Sequence, residues 1–155
     1  MTIFASDATD IFRADPLSLA QARQAFPLVQ IANPHISLSL WLAFVKRWTR
    51  VSSKRGGILA LRDQRGYLHA LFTYQLDHNL RLGKFLRLSN IVMGHLPGKT
   101  LNHAILATAQ GLLASTGAGA LVVEPTSDEP PAYPWHASPP FGFLHVKQAE
   151  ALIPH

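Results

Sequence analysis

Between Phe85 and Val123 the sequence changes character three times, and the order of those changes restricts the fold more than any other feature. Phe85 to Met93 (FLRLSNIVM) reads as a strand, and Gly94-His95-Leu96-Pro97-Gly98-Lys99-Thr100 reads as a loop. From about Thr100 to Ser115 the apolar residues Leu101, Ala104, Ile105, Ala109, Leu112 and Leu113 fall at helical spacings of three and four. Gly117 and Gly119 end this helix. Ala120-Leu121-Val122-Val123 is then a short run without a polar residue, as expected of a strand buried on both faces. Strand, loop, helix and strand in this order form a right-handed βαβ crossover. The loop brings free backbone N–H groups to a helix N-terminus, a favourable place for phosphate.

Upstream, the connections are too short for crossovers. Gly56-Gly57 leads into Ile58 to Leu61, Arg62 to Gly66 reads as a turn, and Tyr67 to Leu76 alternates Leu68, Ala70, Phe72 and Tyr74 with His69, Leu71, Thr73 and Gln75. This is a hairpin whose second strand is largely buried. With a further turn at Asp77-His78-Asn79, Phe85 to Met93 becomes the third strand of an antiparallel meander. Nearer the start, Ile11 to Asp15 reads as a short strand, with Asp15 as the N-cap of a helix and Pro16 as its first residue. That helix carries the stripe Leu19, Ala22 and Phe26 and is interrupted at Pro27. Ser37 caps a second helix, Leu38 to Thr49, with Leu38, Trp41, Leu42, Val45 and Trp48 on one face.

Residues 125–140 hold six prolines beside Tyr133, Trp135 and His136, which excludes a long regular helix there. Phe141 to Val146 returns to strand character, and Ala149 to Ile153 is placed to pair back. Taken together, these segments predict a mixed α/β domain. Its centre is a mostly antiparallel twisted sheet with flanking helices and one βαβ crossover, and residues 1–155 form a single domain.

The 155 residues are 48% hydrophobic and 15% charged, which excludes a disordered chain. No apolar run is long enough for a membrane span, and the first ten residues carry two aspartates and no basic start, unlike a secretory leader. The absence of cysteine removes disulfides, thiolate metal sites and Cys nucleophiles, and fits a cytoplasmic location. A net charge of +5 favours anionic partners such as phosphates, nucleotide cofactors or nucleic acid. Nucleic acid lacks further support, because no basic stripe is interleaved with aromatics. The eight histidines contain no H-E-x-x-H zinc pattern, and no Gly-x-Ser-x-Gly nucleophile elbow occurs.

Gly98-Lys99-Thr100 between a strand and a helix suggests a Walker A loop, with Leu121-Val122-Val123-Glu124 as the strand ending in an acid. Only three residues separate Gly94 from Gly98 where that motif needs four. The chain after Thr100 is also too short for the parallel sheet that surrounds such loops.

The order of elements, carried by Ile11 to Pro16, Leu88 to Leu106, Ala120 to Val123 and Phe141-Gly142-Phe143, resembles the GNAT superfamily of acyl-CoA N-acyltransferases. In that family the fourth strand feeds a loop of pattern Gln/Arg-x-x-Gly-x-Gly/Ala, whose amides hold the pyrophosphate of coenzyme A. Pro97-Gly98-Lys99-Thr100-Leu101-Asn102 aligns with it. Pro97 stands in place of Gln or Arg and has no N–H to donate, and Thr100 and Asn102 replace two small residues. Lys99 supplies charge, and the Thr100 hydroxyl can donate to a phosphate oxygen.

The resemblance implies direct transfer of an acetyl group from acetyl-CoA, as co-substrate, to an amine acceptor, without a metal. It implies that the pantetheine arm lies between the splayed fourth and fifth strands, against the backbone of Ile91, Val92 and Met93. It also implies that Gly98, Lys99, Thr100, Leu101 and Asn102 hold the diphosphate. Tyr133 is the candidate acid for the departing thiolate, or else a packed aromatic. Glu124, just beyond a buried strand at the end where ligands approach α/β sheets, is a candidate general base or a turn-forming carboxylate. Asn90 is either a substrate-orienting side chain or an edge polar residue. A domain of the same architecture that binds a ligand or protein without catalysis is the alternative. The acceptor would be read by segments near residues 27–37 and 125–140. An exposed edge strand near the carboxyl terminus offers a route to a homodimer.

Overall fold

A computed structural model describes residues 11–94, 100–124 and 145–148, with the last segment and Thr100 described as backbone. Six strands lie in one sheet in chain order: β1 (Arg13–Pro16), β2 (Gly56–Arg62), β3 (Leu68–Asn79), β4 (Gly83–Met93), β5 (Ala120–Val123) and β6 (His145–Gln148). Each neighbouring pair is antiparallel except β4 and β5, which are parallel. Helix α3 (Thr100–Thr116) makes the crossover between those two strands. The mixed α/β fold with a mostly antiparallel sheet and one βαβ unit is therefore as expected. It is not the parallel sheet in which a Walker A loop sits.

Alternation along the strands builds a core on each face. Leu59, Leu61, Phe72, Leu86, Leu88, Leu121 and Val123 pack under α3 against Leu101, Ala104, Ile105, Ala109 and Leu113. Ile58, Ala60, Leu71 and Val92 face the other way, toward α1 (Leu19–Ala32) and α2 (Leu38–Thr49). Because both faces are covered, β2 and β5 read as near-continuous apolar runs.

The chain departs from the expected boundaries at three places. Pro16 is the last residue of β1, opposite Leu59, rather than the first of a helix. An edge strand tolerates its missing N–H. The cap is Ser18, not Asp15: Ser18 Oγ accepts from the Gln21 amide at 3.3 Å, and Gln21 Oε1 accepts from the Ser18 amide at 3.2 Å. This Ser-x-x-Gln capping box satisfies two helix donors at once, whereas Asp15 accepts from Arg13 Nε at 2.7 Å.

Helix α1 also runs through Pro27 to Ala32. Its buried stripe is Ala22, Ala25 and Val29, which continues past the proline, while Leu19 is 45% exposed. Tertiary burial outweighs the hydrogen bond lost at Pro27. Finally, Asp77-His78-Asn79 is strand, paired with Phe85, Lys84 and Gly83. The chain reverses at Leu80–Leu82, where Asn79 Oδ1 accepts from the Leu82 amide and Gly83 takes φ +68°. Phe141 to Leu144 and Ala149 to Ile153 lie outside the described residues.

α1 and α2 are clamped together by Trp41, 3% exposed, whose indole Nε1 donates to the Ala22 carbonyl at 2.7 Å. Trp41→Phe keeps most of the packing and removes the indole bond, while the Ala22 carbonyl keeps its partner within α1. Urea denaturation should show a loss of about 0.5–1.5 kcal/mol. An unchanged midpoint would show that the bond does not hold the helix pair.

Candidate functional site

The site begins with a defect in β4. Leu71 pairs with Val92 and Thr73 with Ser89, so Asn90 and Ile91 together oppose Phe72 alone. Asn90 accommodates the extra residue by taking φ +53°, the left-handed region where Asn is the most tolerated residue after Gly. Its amide Nδ2 donates to Thr73 Oγ1 at 3.1 Å. The Thr73 hydroxyl, fully buried, also lies 2.9 Å from both the carbonyl and the hydroxyl of Ser89. A buried hydroxyl must be satisfied, and here its partners are the bulge itself.

Beyond the bulge, β4 outruns its parallel neighbour. Pairing with β5 covers Phe85 to Leu88 and closes with the Glu124 amide donating to the Leu88 carbonyl at 2.8 Å. Ser89 to Met93 continue without a β5 partner, so the sheet forks at Glu124. At the fork the Glu124 carboxylate is ion-paired with Arg87 Nη1, and Arg87 Nη2 reaches Asp77 Oδ2 at 3.3 Å. The guanidinium also stands 5.4 Å from the Phe85 ring centroid, so a stacked, doubly paired Arg87 fixes where Glu124 points.

A cleft of about 590 Å³ opens on the α1–α2 side of the fork. Ser89, Asn90, Val92 and Glu124 contribute from the sheet end, and α1, α2 and the loop between them contribute Val29, Asn33, Ile36, Trp41 and Phe44. The 27–37 segment thus reaches the cleft through Val29, Asn33 and Ile36.

The anticipated site residues are distributed as follows. Ile91 is buried in the α3 core, Val92 lines the cleft and Met93 is half-buried. Thr100 opens α3, and Leu101, 5% exposed, points into the core. The first-turn amides of α3 have no partner within the helix by its geometry. Asn102 is half-buried, and its Oδ1 has no partner among the described residues. Gly98, Lys99 and Tyr133 lie outside the described residues.

Arg87, Thr73, Ser89 and the aromatic wall of α2 enter the site without having been anticipated. One signal was present for the bulge. In Leu86, Leu88, Ile91 the apolar spacing slips from two to three at Ser89-Asn90.

Two titratable groups away from the cleft have shifted pKa values for local reasons. Asp63 accepts from the His69 ring at 2.8 Å, which with the Tyr67 and Arg65 amides lowers its carboxyl pKa against a smaller desolvation effect. Burial raises the Tyr74 phenol, which donates to the Ser53 carbonyl at 2.7 Å. No cluster of three or more metal-ligating side chains occurs among the described residues.

Asn90 provides a direct test of the bulge. Asn90→Gly keeps the positive φ and loses the bond to Thr73, at a cost of about 1 kcal/mol. Asn90→Val, β-branched at positive φ, should lose about 1–3 kcal/mol more in denaturant titration. Equal stability of the two would mean that β4 does not need the left-handed residue.

No protein-family model and no curated protein matches the sequence. Solved structures do. A nucleotide-linked sugar GNAT in its apo form superposes with TM-score 0.71 at 8% identity, over 92% of this chain and 89% of that one. A variant of spermidine N-acetyltransferase from Vibrio cholerae gives 0.65 at 9%, over 93% and 97%. The spermidine N-acetyltransferase of Vibrio cholerae in complex with CoA and spermine gives 0.58 at 10%, over 74% and 70%. At these identities the likeness concerns the backbone, and the chain has the GNAT fold.

Proposed function

We propose that this chain transfers an acetyl group from acetyl-CoA directly to a primary amine. The observation that carries the reading is the fork: β4 continues five residues past its last β5 partner, from Ser89 to Met93, with a carboxylate at the branch point. Strand backbone without a neighbour can bond to the amides of an extended arm, and the pantetheine arm of coenzyme A is such an arm. A similar fold in the Vibrio cholerae spermidine enzyme has been solved with CoA bound.

In this reading the backbone of Ile91, Val92 and Met93 holds the arm, and Gly98 to Asn102 hold the diphosphate. Lys99 contributes charge, and the α3 amides contribute donors. Leu101 takes part through its backbone alone. The unpartnered Asn102 Oδ1 is an acceptor, suited to an N–H or hydroxyl of the donor rather than to phosphate. Acetyl-CoA supplies the acyl group and a thiolate leaving group. The acceptor occupies the cleft, where Glu124 takes the proton its ammonium must lose before attack. Arg87 keeps that carboxylate aimed. Tyr133 is assigned the proton that the departing sulfur needs. The whole chain acts as one domain. A cytoplasmic location goes with the reading and is supported by the absence of cysteine; no described helix is long and apolar enough to cross a membrane.

Thermal unfolding with and without acetyl-CoA tests the donor. At 100 times its dissociation constant the ligand should stabilise the fold by about 2.7 kcal/mol, and Lys99→Ala should weaken it. No shift would favour a GNAT fold used for binding without catalysis. Where acetyl-CoA does bind, Glu124→Gln should slow thiol release by about 10²-fold or more at unchanged donor affinity. Unaltered turnover would remove Glu124 as the base.

A further inference from the structure

We infer that the acceptor is a monoamine carried on a hydrophobic, preferably aromatic, body, rather than a polyamine or a sugar. This rests on the acetyl-transfer reading for the identity of the reaction, but the chemistry of the cleft is read independently of it. Its helical wall is mostly apolar: Val29, Ile36, Leu40, Ala43 and Phe44 line it together with Trp41, and Asn33 and Arg47 are its two polar members. Phe44 stacks on Trp41 at 5.9 Å and 21° and leans on Trp48 at 6.3 Å; Phe44 and Trp41 line the cleft, and Phe44 is the less buried ring of the two. Leu40 stays 63% exposed, an apolar side chain that an incoming apolar group would cover.

The polar groups are few: Ser89, Asn90 and Glu124 at the sheet end, and Asn33 and Arg47 on the helical side. Among the described lining residues Glu124 is the one carboxylate, and Arg87 already occupies part of it. The remaining charge in the lining is positive: Arg47, at the helical wall, makes no ion pair among the described residues. One ammonium can be met at Glu124. A second ammonium on the same molecule would find apolar side chains and a like charge, a repulsive element against polyamines. Sugar hydroxyls laid on the same wall would lose water and find only Asn33 and Arg47 as polar partners among apolar side chains. A flat hydrocarbon body fits both the wall and the charge pattern.

The test uses the full chain with saturating acetyl-CoA and compares phenylethylamine, spermidine and glucosamine by thiol release. The expected order puts phenylethylamine first, by about 10²-fold in kcat/KM. A preference for spermidine or glucosamine overturns the inference and leaves acetyl transfer standing. If no amine releases thiol, calorimetry of phenylethylamine without donor decides. Saturable binding that Phe44→Ala weakens about tenfold supports the cleft assignment while the transfer reading falls, and no binding overturns it. Arg47→Glu, on an exposed side chain, should raise kcat/KM for spermidine relative to phenylethylamine by about tenfold. An unchanged ratio contradicts the role given to Arg47.

Discussion

A strand hydrogen-bonded on both sides has no free edge to offer a ligand, and among the described residues β4 escapes this constraint from Ser89 to Met93. The interaction that makes this possible is small. The buried Thr73 hydroxyl bonds to Ser89 and accepts from the Asn90 amide, holding one extra residue in a left-handed conformation. The bulge shifts the phase of the strand. Leu86 and Leu88 point toward α3, Ser89 points toward the cleft, and after the insertion Ile91 faces α3 again while Val92 faces α1 and α2. Both cores are thus kept continuous through a local break in the pairing.

The second constraint is the length mismatch between β4 and β5. Eleven residues lie beside four, and the parallel register uses Phe85 to Leu88. Val123 is followed directly by Glu124, so the carboxylate emerges where the two strands part. Arg87 then ties it to the β3–β4 hairpin through Asp77. Since Arg87 and Glu124 are each partly solvent-exposed, this network contributes more to orientation than to stability. The cleft itself is a product of the helix pair. α1 and α2 cover Ile58, Ala60, Leu71 and Val92 but leave the bulged end of β4 open.

Much of this was legible in the sequence where period and burial agree. The meander, the crossover helix and the fully buried β5 follow from alternation, helical spacing and an unbroken apolar run. Ser37 capping a helix over Leu38 to Thr49 also holds, with the Leu40 amide donating to its Oγ at 3.1 Å. The errors arose where two local signals competed. Asp15-Pro16 and Ser18-x-x-Gln21 are both helix starts, and the reciprocal pair of hydrogen bonds won over the single cap. Pro27 reads as a stop by its local cost alone, and the burial of Val29 two residues on overrides that cost. The fork was harder to read. Glu124 could be placed at a strand end, but nothing adjacent in sequence marks Arg87, 37 positions earlier, as its partner. The apolar face expected of α2 includes Trp41 and Trp48 but not Phe44, which is shared between core and cleft.

The central claim is that the edge of β4 from Ser89 to Met93, unpaired on its β5 side among the described residues, receives the acyl donor. Hydrogen–deuterium exchange of the intact chain, resolved to peptides covering β4, addresses it without relying on turnover. Addition of CoA should slow exchange at residues 89–93 while leaving the amides of β2 unchanged. Binding of CoA with exchange at 89–93 unaltered would contradict the account and move the donor site elsewhere on the molecule.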